Sequence, residues 1–398
     1  MTSILFVAQS PTQGGVVTVL THLLRHWPQL DAGGEEWRLI LVLNKGHGGL
    51  AKFRVLAQQR PLTIIEAPMW DLTPGLYSGA YGKGLRSLMV RVFHRLFAPI
   101  QWLWATAFFA RLCQQYGVAV SFSHNGGYPG GMFNRAAVIG AKLAGVRRNF
   151  MVIHGLARHP RWLTLPVDWV HDRLTEWATT GLVAVSSACA QTVKADRFIT
   201  TLPLVIYNGV PVRAQRSLQE FVREDFIIGF FGELNPHKGL HILVAALPKL
   251  PARVGLRIFG KGSECYADRL QAEALALGVK DRVKFCGFVA DAAEKMAHVD
   301  VVVLPSIEFE SFGMVLLEAM QNRKPVVVSN IGGMKEIVQH GATGYVVTAG
   351  SEEALAGAIL KLVNDRGLAD RLGEAGYERL QSHFSVERMV SAYVALAR

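Results

Sequence analysis

The stretch that decides the fold is residues 300–347, DVVVLPSIEFESFGMVLLEAMQNRKPVVVSNIGGMKEIVQHGATGYVV. It alternates an apolar run, an acidic loop, a helical segment, a second apolar run and a glycine turn. The run from Val301 to Leu304 stops at Pro305, which indicates a strand buried on both faces. This alternation is typical of a parallel sheet covered by helices and predicts an α/β fold.

Two glutamates, Glu310 and Glu318, lie on either side of a helix start predicted near Phe312. Glu310 is then in the loop before the helix, and Glu318 is about one and a half turns into it. Gly313 lets a ligand approach the first backbone N–H groups, where the helix dipole favours an anion. The segment therefore predicts an anion site flanked by two carboxylates that accept hydrogen bonds from hydroxyls, a combination that suits a sugar diphosphate. The alternative is that the glutamate on the helix lies on a solvated face and that Glu308 and Glu310 only stabilise the helix N-terminus.

Polar groups also follow predicted strands in the N-terminal half. Gly14 and Gly15 follow the strand Ile4–Val7, and His124 and His154 each end a strand. Open α/β sheets bind ligands at the carboxyl ends of their strands. A Gly-Gly turn or a single histidine is by itself more often structural, so that alternative stays open. The glycine turn is not a GxGxxG fingerprint and the chain has no GxxxxGK[ST] loop, which disfavours a dinucleotide-binding protein.

Length and composition allow two domains with full cores, because the chain has 398 residues, half of them hydrophobic. Four cysteines without CxxC spacing predict neither a zinc site nor a disulfide framework, which fits a reducing compartment. The N-terminal MTSILFVAQS is predicted to be a strand rather than a signal peptide. No uncharged apolar run reaches transmembrane length.

The net charge of +11 resides entirely in the N-terminal half. Residues 1–212 hold 20 Lys and Arg against 9 Asp and Glu, whereas residues 213–398 hold 22 of each. A one-sided basic domain favours an anionic surface or substrate. The chain shows no nucleic-acid-binding motif, so nucleic acid is not an expected partner. An anionic membrane surface is the preferred interpretation.

Residues 85–116 combine basic, aliphatic and aromatic side chains and contain no acidic residue. The uncharged stretch between Arg95 and Arg111 is too short to span a bilayer. Pro99 predicts a break into two helices or a kink. Basic residues beside exposed aromatics suit a helix in the membrane interface, the aromatics being Trp102, Trp104, Phe108 and Phe109. A core helix with basic residues at its ends is an equal alternative.

A second α/β unit is predicted to begin at Phe226, after a polar linker over residues 210–224. Its first strand leads to Gly232 and then to Lys238-Gly239 at the N-terminus of a helix. A lysine there offers a point charge to a diphosphate, assisted by the helix dipole. The alternative is an ordinary solvated loop lysine.

The C-terminal half resembles retaining glycosyltransferases of the GT-B fold, in the large group called family 4. The resemblance rests on Glu310, seven residues, Glu318, Lys324-Pro325-Val326-Val327, Gly332-Gly333, Glu336 and Gly341-x-x-Gly344. It implies an α/β fold of two Rossmann-like domains with a cleft between them. The implied domains are an acceptor-binding domain over residues 1–210, a nucleotide-sugar-binding domain over 211–380, and a helix over 381–398 that crosses back to the first domain.

The resemblance also implies a role for each candidate residue. Glu310, Lys238 and His154 are the expected catalytic residues, which hold sugar hydroxyls, stabilise the leaving diphosphate and contact the donor sugar, respectively. Glu318 is expected at the ribose hydroxyls. The other donor-binding residues implied are Gly313, Phe312, Met314, Gly14, Gly15, Gly287 and Phe288.

One position departs from the family pattern. The family usually has an arginine directly after Gly232, and this chain has Glu233. An anion replaces a cation there, which would repel a diphosphate if it pointed inward. Either Glu233 turns away and His237 or Lys261 compensates, or donor affinity is reduced.

The predicted reaction is transfer of a sugar, with retention, from a nucleotide diphosphosugar donor to a hydroxyl of a glycan or lipid-linked acceptor, such as an envelope or surface polysaccharide precursor. No DxD pair suits a metal, so no metal and no cofactor are expected. The predicted location is cytoplasmic, with peripheral attachment to the inner face of the cytoplasmic membrane. The alternatives are a non-catalytic GT-B binding or scaffold protein, a nucleotide-sugar epimerase, an inverting transferase and, least favoured, a nicotinamide oxidoreductase.

Overall fold

The structure is a computed structural model that describes residues 2–9, 14–30, 34–70, 85–160, 162–212, 225–289 and 292–398. The chain divides into two compact units, Met1–Tyr207 with Met389–Arg398, and Asn208–Arg388. Most of the linker predicted over residues 210–224 lies outside the described residues, as do the side chains of Arg86, Arg91, His94 and Arg95. Within the described ranges, no helix combines the length and apolarity that a membrane crossing requires.

The first unit is built on a seven-stranded parallel sheet in the order β3-β2-β1-β4-β5-β6-β7. Its strands are β1 (Thr2–Ala8), β2 (Trp37–Lys45), β3 (Leu62–Trp70), β4 (Val118–Asn125), β5 (Arg148–Ile153), β6 (Gly181–Ala184) and β7 (Leu204–Val205). Its helices are α1 (Gly15–His26), α2 (Leu50–Gln59), α3 (Leu85–Tyr116), α4 (Met132–Leu143), α5 (Leu165–Ala178) and α6 (Ser187–Asp196). The strands run outward in both directions from β1 and β4, so right-handed crossovers place α1 and α2 on one face of the sheet and α3, α4, α5 and α6 on the other.

The second unit has a six-stranded parallel sheet in the order β10-β9-β8-β11-β12-β13. Its strands are β8 (Phe226–Phe231), β9 (Val254–Phe259), β10 (Val283–Gly287), β11 (Val301–Leu304), β12 (Val326–Ser329) and β13 (Gly344–Val347). Its helices are α7 (Leu240–Ala246), α8 (Glu264–Ala276), α9 (Ala292–Met296), α10 (Met314–Gln321), α11 (Met334–Ile337), α12 (Glu352–Asn364) and α13 (Arg366–His383). All four residues of β11 are buried, which confirms the prediction of a strand covered on both faces, and the four residues of β12 are buried as well.

Helix α3 corrects one prediction, because it runs without interruption from Leu85 to Tyr116 through Pro99. A proline inside a helix removes one hydrogen bond and costs about 3 kcal/mol. The C-terminal half of α3 is fixed by burial against α4 and the sheet, through Ala105, Phe109, Leu112 and Cys113. Packing of this half outweighs the local cost, so the predicted break into two helices is wrong.

The last helix, α14 (Val386–Ala397), contributes its residues from Met389 onward to the first unit. Tyr393 is 1 % exposed and packs edge-on against Phe122 of β4, with ring centroids 5.4 Å apart. Arg148 of β5 donates a hydrogen bond to the carbonyl oxygen of Ala397 at 2.8 Å. The C-terminal segment therefore completes the core of the first unit at its central strands.

Candidate functional site

The second sheet has a topological switch point between β8 and β11. From β8 the chain proceeds to β9 and β10 on one side, and then returns to β11 on the other side. The loops that leave two such neighbouring strands diverge, which opens a crevice at the carboxyl edge where α/β sheets bind ligands. Lys238 follows β8 and Glu310 follows β11, so the two residues flank this crevice.

Lys238 and Glu310 form an ion pair at the switch point. The Lys238 Nζ donates to Glu310 Oε2 at 2.5 Å, and the side chains are 19 % and 15 % exposed. This partial burial reduces solvent screening and leaves one edge of each group accessible. The structure thus brings together two of the three predicted catalytic residues, a cation and a carboxylate that lie 72 residues apart in the chain.

Two glycines hold this pair in place because they allow backbone segments to approach closely. Gly239 has φ +69°, and a Cβ there would lie 1.9 Å from the carbonyl oxygen of Pro305. Gly332 has φ +55°, and a Cβ there would lie 2.0 Å from the carbonyl oxygen of Glu310. Glu310 also accepts a backbone hydrogen bond from Gly333 at 2.9 Å. The Gly332-Gly333 turn therefore supports Glu310 from behind, a function that explains its place in the motif.

Helix α10 begins at Met314, two residues later than predicted, with Gly313 as its N-cap at φ +92°. The first turn of any helix leaves amides without intrahelical partners, and the loop that carries Glu310 leads directly into this turn. The Phe312 side chain is 2 % exposed and packs edge-on on Phe384, so it anchors the loop and leaves only its backbone for a ligand. Glu318 lies in the second turn and is half-buried, as the spacing predicted.

The predicted donor-binding residues Gly287 and Phe288 lie further along the same sheet edge. Gly287 ends β10 with φ +73°, and the Phe288 side chain is 60 % exposed. Lys261 Nζ stands over the Phe288 ring, 5.6 Å from its centroid. Glu233 is exposed. Lys261, one of the two predicted compensating groups, thus adds positive charge at this end of the edge.

The first sheet has its own switch point, between β1 and β4. Gly14 and Gly15 follow β1 and are exposed at the start of α1, where Gly14 is the N-cap. His124 lies near the end of β4, and His154 follows β5 directly. The structure therefore places the predicted residues of the N-terminal half together at the carboxyl edge of this sheet.

The two histidines are hydrogen-bonded to each other. His124 Nδ1 and His154 Nε2 are 3.0 Å apart, and the side chains are 0 % and 9 % exposed. Burial lowers the pKa of His154 to about 4. Burial, followed by the charge of a protonated His154, lowers the pKa of His124 well below its ordinary value. Both rings are therefore neutral at physiological pH and can act as hydrogen-bond donors and acceptors without carrying charge.

This depressed pKa predicts a loss of stability in acid. The unfolded chain binds a proton at His154 near pH 6.5, whereas the folded chain resists it down to about pH 4. Stability is therefore complete above pH 6.5 and declines as the pH falls through this window, by about 2 kcal/mol at pH 5. Urea unfolding at pH 7.5 and pH 5 should show this decline in the wild type and a smaller one in His154→Gln. Equal declines in both proteins would contradict the lowered pKa of His154.

Three features escaped the sequence-based prediction. Asn134 donates its side-chain amide to the carbonyl oxygen of His124, and Tyr393 stacks on the His124 ring with centroids 6.1 Å apart. A buried ion pair joins Arg197 to Asp172. Sheet topology and long-range packing create these contacts, and neither has a local signal in the sequence. Among the described residues, no three His, Cys, Asp or Glu side chains are grouped as a metal site requires.

Comparison with known proteins identifies the family of this chain. The family described as glycosyl transferases group 1 matches residues 213–379. The lipopolysaccharide core biosynthesis mannosyltransferase LpcC of Rhizobium leguminosarum bv. viciae is 30% identical over 271 residues, which are 63% of this chain and 76% of that protein. The lipopolysaccharide core biosynthesis glycosyltransferase LpsE of Rhizobium meliloti (strain 1021) is 36% identical over 189 residues, 48% of this chain. The chain spans about half the length of LpsE, namely 54%.

Solved structures show the same fold over the full length. The crystal structure of Anabaena Alr3699/HepE in complex with UDP has a TM-score of 0.76 at 24% identity and covers 99% of both chains. A glycosyltransferase from Rickettsia africae ESF-5 has a TM-score of 0.76 at 20% identity and covers 100% of this chain and 97% of its own. These similarities and the two parallel sheets confirm the predicted GT-B fold. This chain is 30% identical to LpcC over 76% of the length of LpcC, and it therefore belongs to the glycosyl transferases group 1 family.

Proposed function

We propose that this chain is a retaining glycosyltransferase that moves a sugar from a nucleotide diphosphosugar to an acceptor hydroxyl. The observation that carries the proposal is the Lys238–Glu310 ion pair, which lies at the switch point of the second sheet beside the N-terminus of α10. A cation and helix amides suit a diphosphate, and a carboxylate suits sugar hydroxyls. The relatives LpcC and LpsE, named for lipopolysaccharide core biosynthesis, support the same class of reaction.

In the proposed reaction, the bond between the sugar and the diphosphate breaks and negative charge accumulates on the departing oxygen. The acceptor oxygen bonds to the sugar carbon, and the acceptor hydroxyl gives its proton to the departing diphosphate. Lys238 and the amides around Gly313 and Met314 stabilise that charge. Glu310 accepts hydrogen bonds from sugar hydroxyls and also holds the ammonium group of Lys238 in place. Since these groups supply the positive charge, the proposed mechanism assigns no step to a metal ion.

Glu318 is proposed to accept hydrogen bonds from the two ribose hydroxyls of the donor. Glu318→Ala should weaken donor binding by about tenfold to a hundredfold, because hydrogen bonds to a charged group contribute about 1.5–3 kcal/mol. A thermal-shift screen of nucleotide diphosphosugars should show a stabilising donor for the wild type and a much smaller shift for this variant. Glu378→Ala, on an exposed face of α13, is the matched control and should bind like the wild type. Equal shifts in all three proteins would exclude the role.

Retention of configuration is proposed because the spacing of Glu310 and Glu318 matches the retaining group and no catalytic base is assigned beside an acceptor. With the donor from the screen, ¹H NMR of the anomeric proton follows donor and product in one sample. The expected product has the anomeric configuration of the donor. An inverted product would reject the retaining mechanism and leave the donor site unaffected.

We further propose a lipid-linked or envelope polysaccharide acceptor at the cytoplasmic face of an anionic membrane. Helix α3 exposes an apolar stripe made of Phe97, Ile100, Leu103 and Trp104. Trp102 and Phe109, by contrast, pack inward against the core, so neither is an anchor. The stripe and the excess positive charge of residues 1–212 together suit the interface of an anionic bilayer.

A second exposed apolar surface, which the sequence had not suggested, lies on α5 and the turn before it. Trp102 of α3 contacts His171 of α5, with ring centroids 6.5 Å apart, so the two helices are neighbours. The turn before α5 and the helix itself expose Trp162, Leu165, Val167, Trp169 and Val170. Exposed tryptophans next to aliphatic side chains are typical of surfaces that insert into the headgroup region.

Trp162→Ser with Trp169→Ser should reduce binding to vesicles of phosphatidylglycerol and phosphatidylcholine by about tenfold, because both indoles leave the interface. Leu275→Ser, which alters a side chain 62 % exposed in the second unit, is the control and should leave binding unchanged. Cosedimentation measures the bound fraction, and vesicles of phosphatidylcholine alone report the electrostatic part. If the double variant sediments like the wild type, this surface is not the membrane contact.

A further inference from the structure

The His124–His154 hydrogen bond has a direction that the surrounding groups determine. A gap of 3.0 Å between two ring nitrogens accommodates one hydrogen, carried either by His124 Nδ1 or by His154 Nε2. Both rings are neutral at physiological pH, so each carries a single N–H. The position of one hydrogen therefore sets the tautomer of both rings.

The other nitrogen of His124 decides between these two arrangements. His124 Nε2 is buried and has no hydrogen-bond partner among the described residues. If His154 donated, this nitrogen would have to carry a buried N–H without an acceptor. If His124 donates from Nδ1, the same nitrogen holds only a lone pair among the rings of Phe6 and Tyr393. Buried orphan N–H groups are rarer than buried unpaired acceptors, which favours donation by His124.

Contacts with neighbouring residues support the positions of both histidines. Its main-chain carbonyl oxygen accepts the side-chain amide of Asn134. Its ring lies between Phe6, with centroids 6.2 Å apart, and Tyr393, with centroids 6.1 Å apart. His154 is fixed through its backbone N–H, which donates to the carbonyl oxygen of Asn125 at 2.9 Å. The donor and the acceptor of the ring-to-ring hydrogen bond are thus each supported by packing or by a hydrogen bond within the first unit.

We propose that His124 is a positioning residue that holds His154 in the tautomer with its hydrogen on Nδ1, so that His154 offers an N–H donor to a hydroxyl of the transferred sugar. His154 retains 9 % exposure at the carboxyl end of β5, the edge where such a sheet binds its ligand. The inference rests on the proposed function for the identity of that ligand. The tautomer itself depends only on the first unit.

The test reads the tautomer and the activity separately. Selective ¹⁵N-histidine labelling of the full chain, with long-range ¹H–¹⁵N spectra at pH 7.5, distinguishes a protonated Nδ1 from a protonated Nε2. His154→Gln identifies the signals of His154. The wild type should show the hydrogen of His154 on Nδ1, and His124→Phe should shift that hydrogen toward Nε2. A wild-type hydrogen on Nε2, or identical His154 signals in His124→Phe, would overturn the proposal.

A conservative variant separates positioning from general damage. His124→Asn keeps an N–H donor near His154 and should retain the Nδ1 tautomer, and Tyr393→Phe should do the same. With an identified donor sugar, His124→Phe should lower kcat/KM about tenfold, the equivalent of one hydrogen bond, and His124→Asn should recover most of it. Equal loss in both variants would indicate a structural role only. If no sugar is turned over, the proposed function fails, and the spectra still decide the tautomer.

Discussion

Replacement of Lys238 by methionine should lower kcat/KM for glycosyl transfer by about 10²- to 10³-fold, the usual effect of removing one group that stabilises developing negative charge. Methionine keeps most of the side-chain volume and removes the ammonium group. The loss should appear mainly in kcat, because the charge on the diphosphate oxygen grows as the sugar departs. The kcat/KM of Lys238→Arg should lie between that of the wild type and that of Lys238→Met. The planar guanidinium keeps the charge but cannot reproduce the 2.5 Å contact with Glu310 in the same way.

Lys249→Met is the matched control for this experiment. Lys249 lies in the same unit and pairs with Glu352 at 3.3 Å and with Glu353, all of them substantially exposed. An exposed pair contributes little, so this variant should retain wild-type kinetics within about twofold. A loss below about threefold in Lys238→Met would show that Lys238 does not contact the leaving group.

Asp172→Ala should reduce the free energy of unfolding of the first unit by about 3–5 kcal/mol, because it leaves a buried guanidinium without its main partner. The Asp172 side chain is fully buried and the Arg197 side chain is 1 % exposed. Asp172 accepts hydrogen bonds from Arg197 at 2.9 Å, from Tyr128 at 3.0 Å and from the Phe198 backbone at 3.0 Å. These contacts join α5 to the loop after β4 and to the end of α6. Thermal unfolding followed by circular dichroism should show a midpoint lowered by about 10 °C.

Two comparisons define this effect. Arg197→Met combined with Asp172→Ala should cost less than the sum of the single changes, because the double variant buries no unpaired charge. Glu66→Ala breaks the exposed Arg54–Glu66 pair and should cost less than about 1 kcal/mol. If Asp172→Ala stayed within about 1 kcal/mol of the wild type, the network would not be a major source of stability.

The local elements of this fold could be predicted because their signals lie within a few residues. The Val301–Leu304 strand, the helix that carries Glu318 and the lysine turn before α7 all follow from apolar periodicity and glycine placement. The prediction that the chain breaks into two helices at Pro99 was wrong, because a local rule could not include the packing of the second half of α3. Propensity is a weak prior where tertiary contacts are many.

The arrangement of the site could be predicted only in part. The sequence supplied Lys238 and Glu310 as separate candidates, but their direct pairing depends on the adjacency of β8 and β11, which is a property of strand order. The His124–His154 hydrogen bond likewise depends on the parallel register of β4 and β5. The second exposed apolar surface, on α5 and the turn before it, could not be predicted, because a sequence does not show which face of a helix is covered.

Calorimetric titration of the full chain with nucleoside diphosphates tests most directly whether the switch point of the second sheet binds a diphosphate. UDP, GDP and ADP are titrated into the wild type and into Lys238→Met under identical salt conditions. At least one of them should bind the wild type with a micromolar Kd and bind the variant at least about tenfold more weakly. Absence of binding to the wild type by all three, or equal affinity for both proteins, would contradict this account.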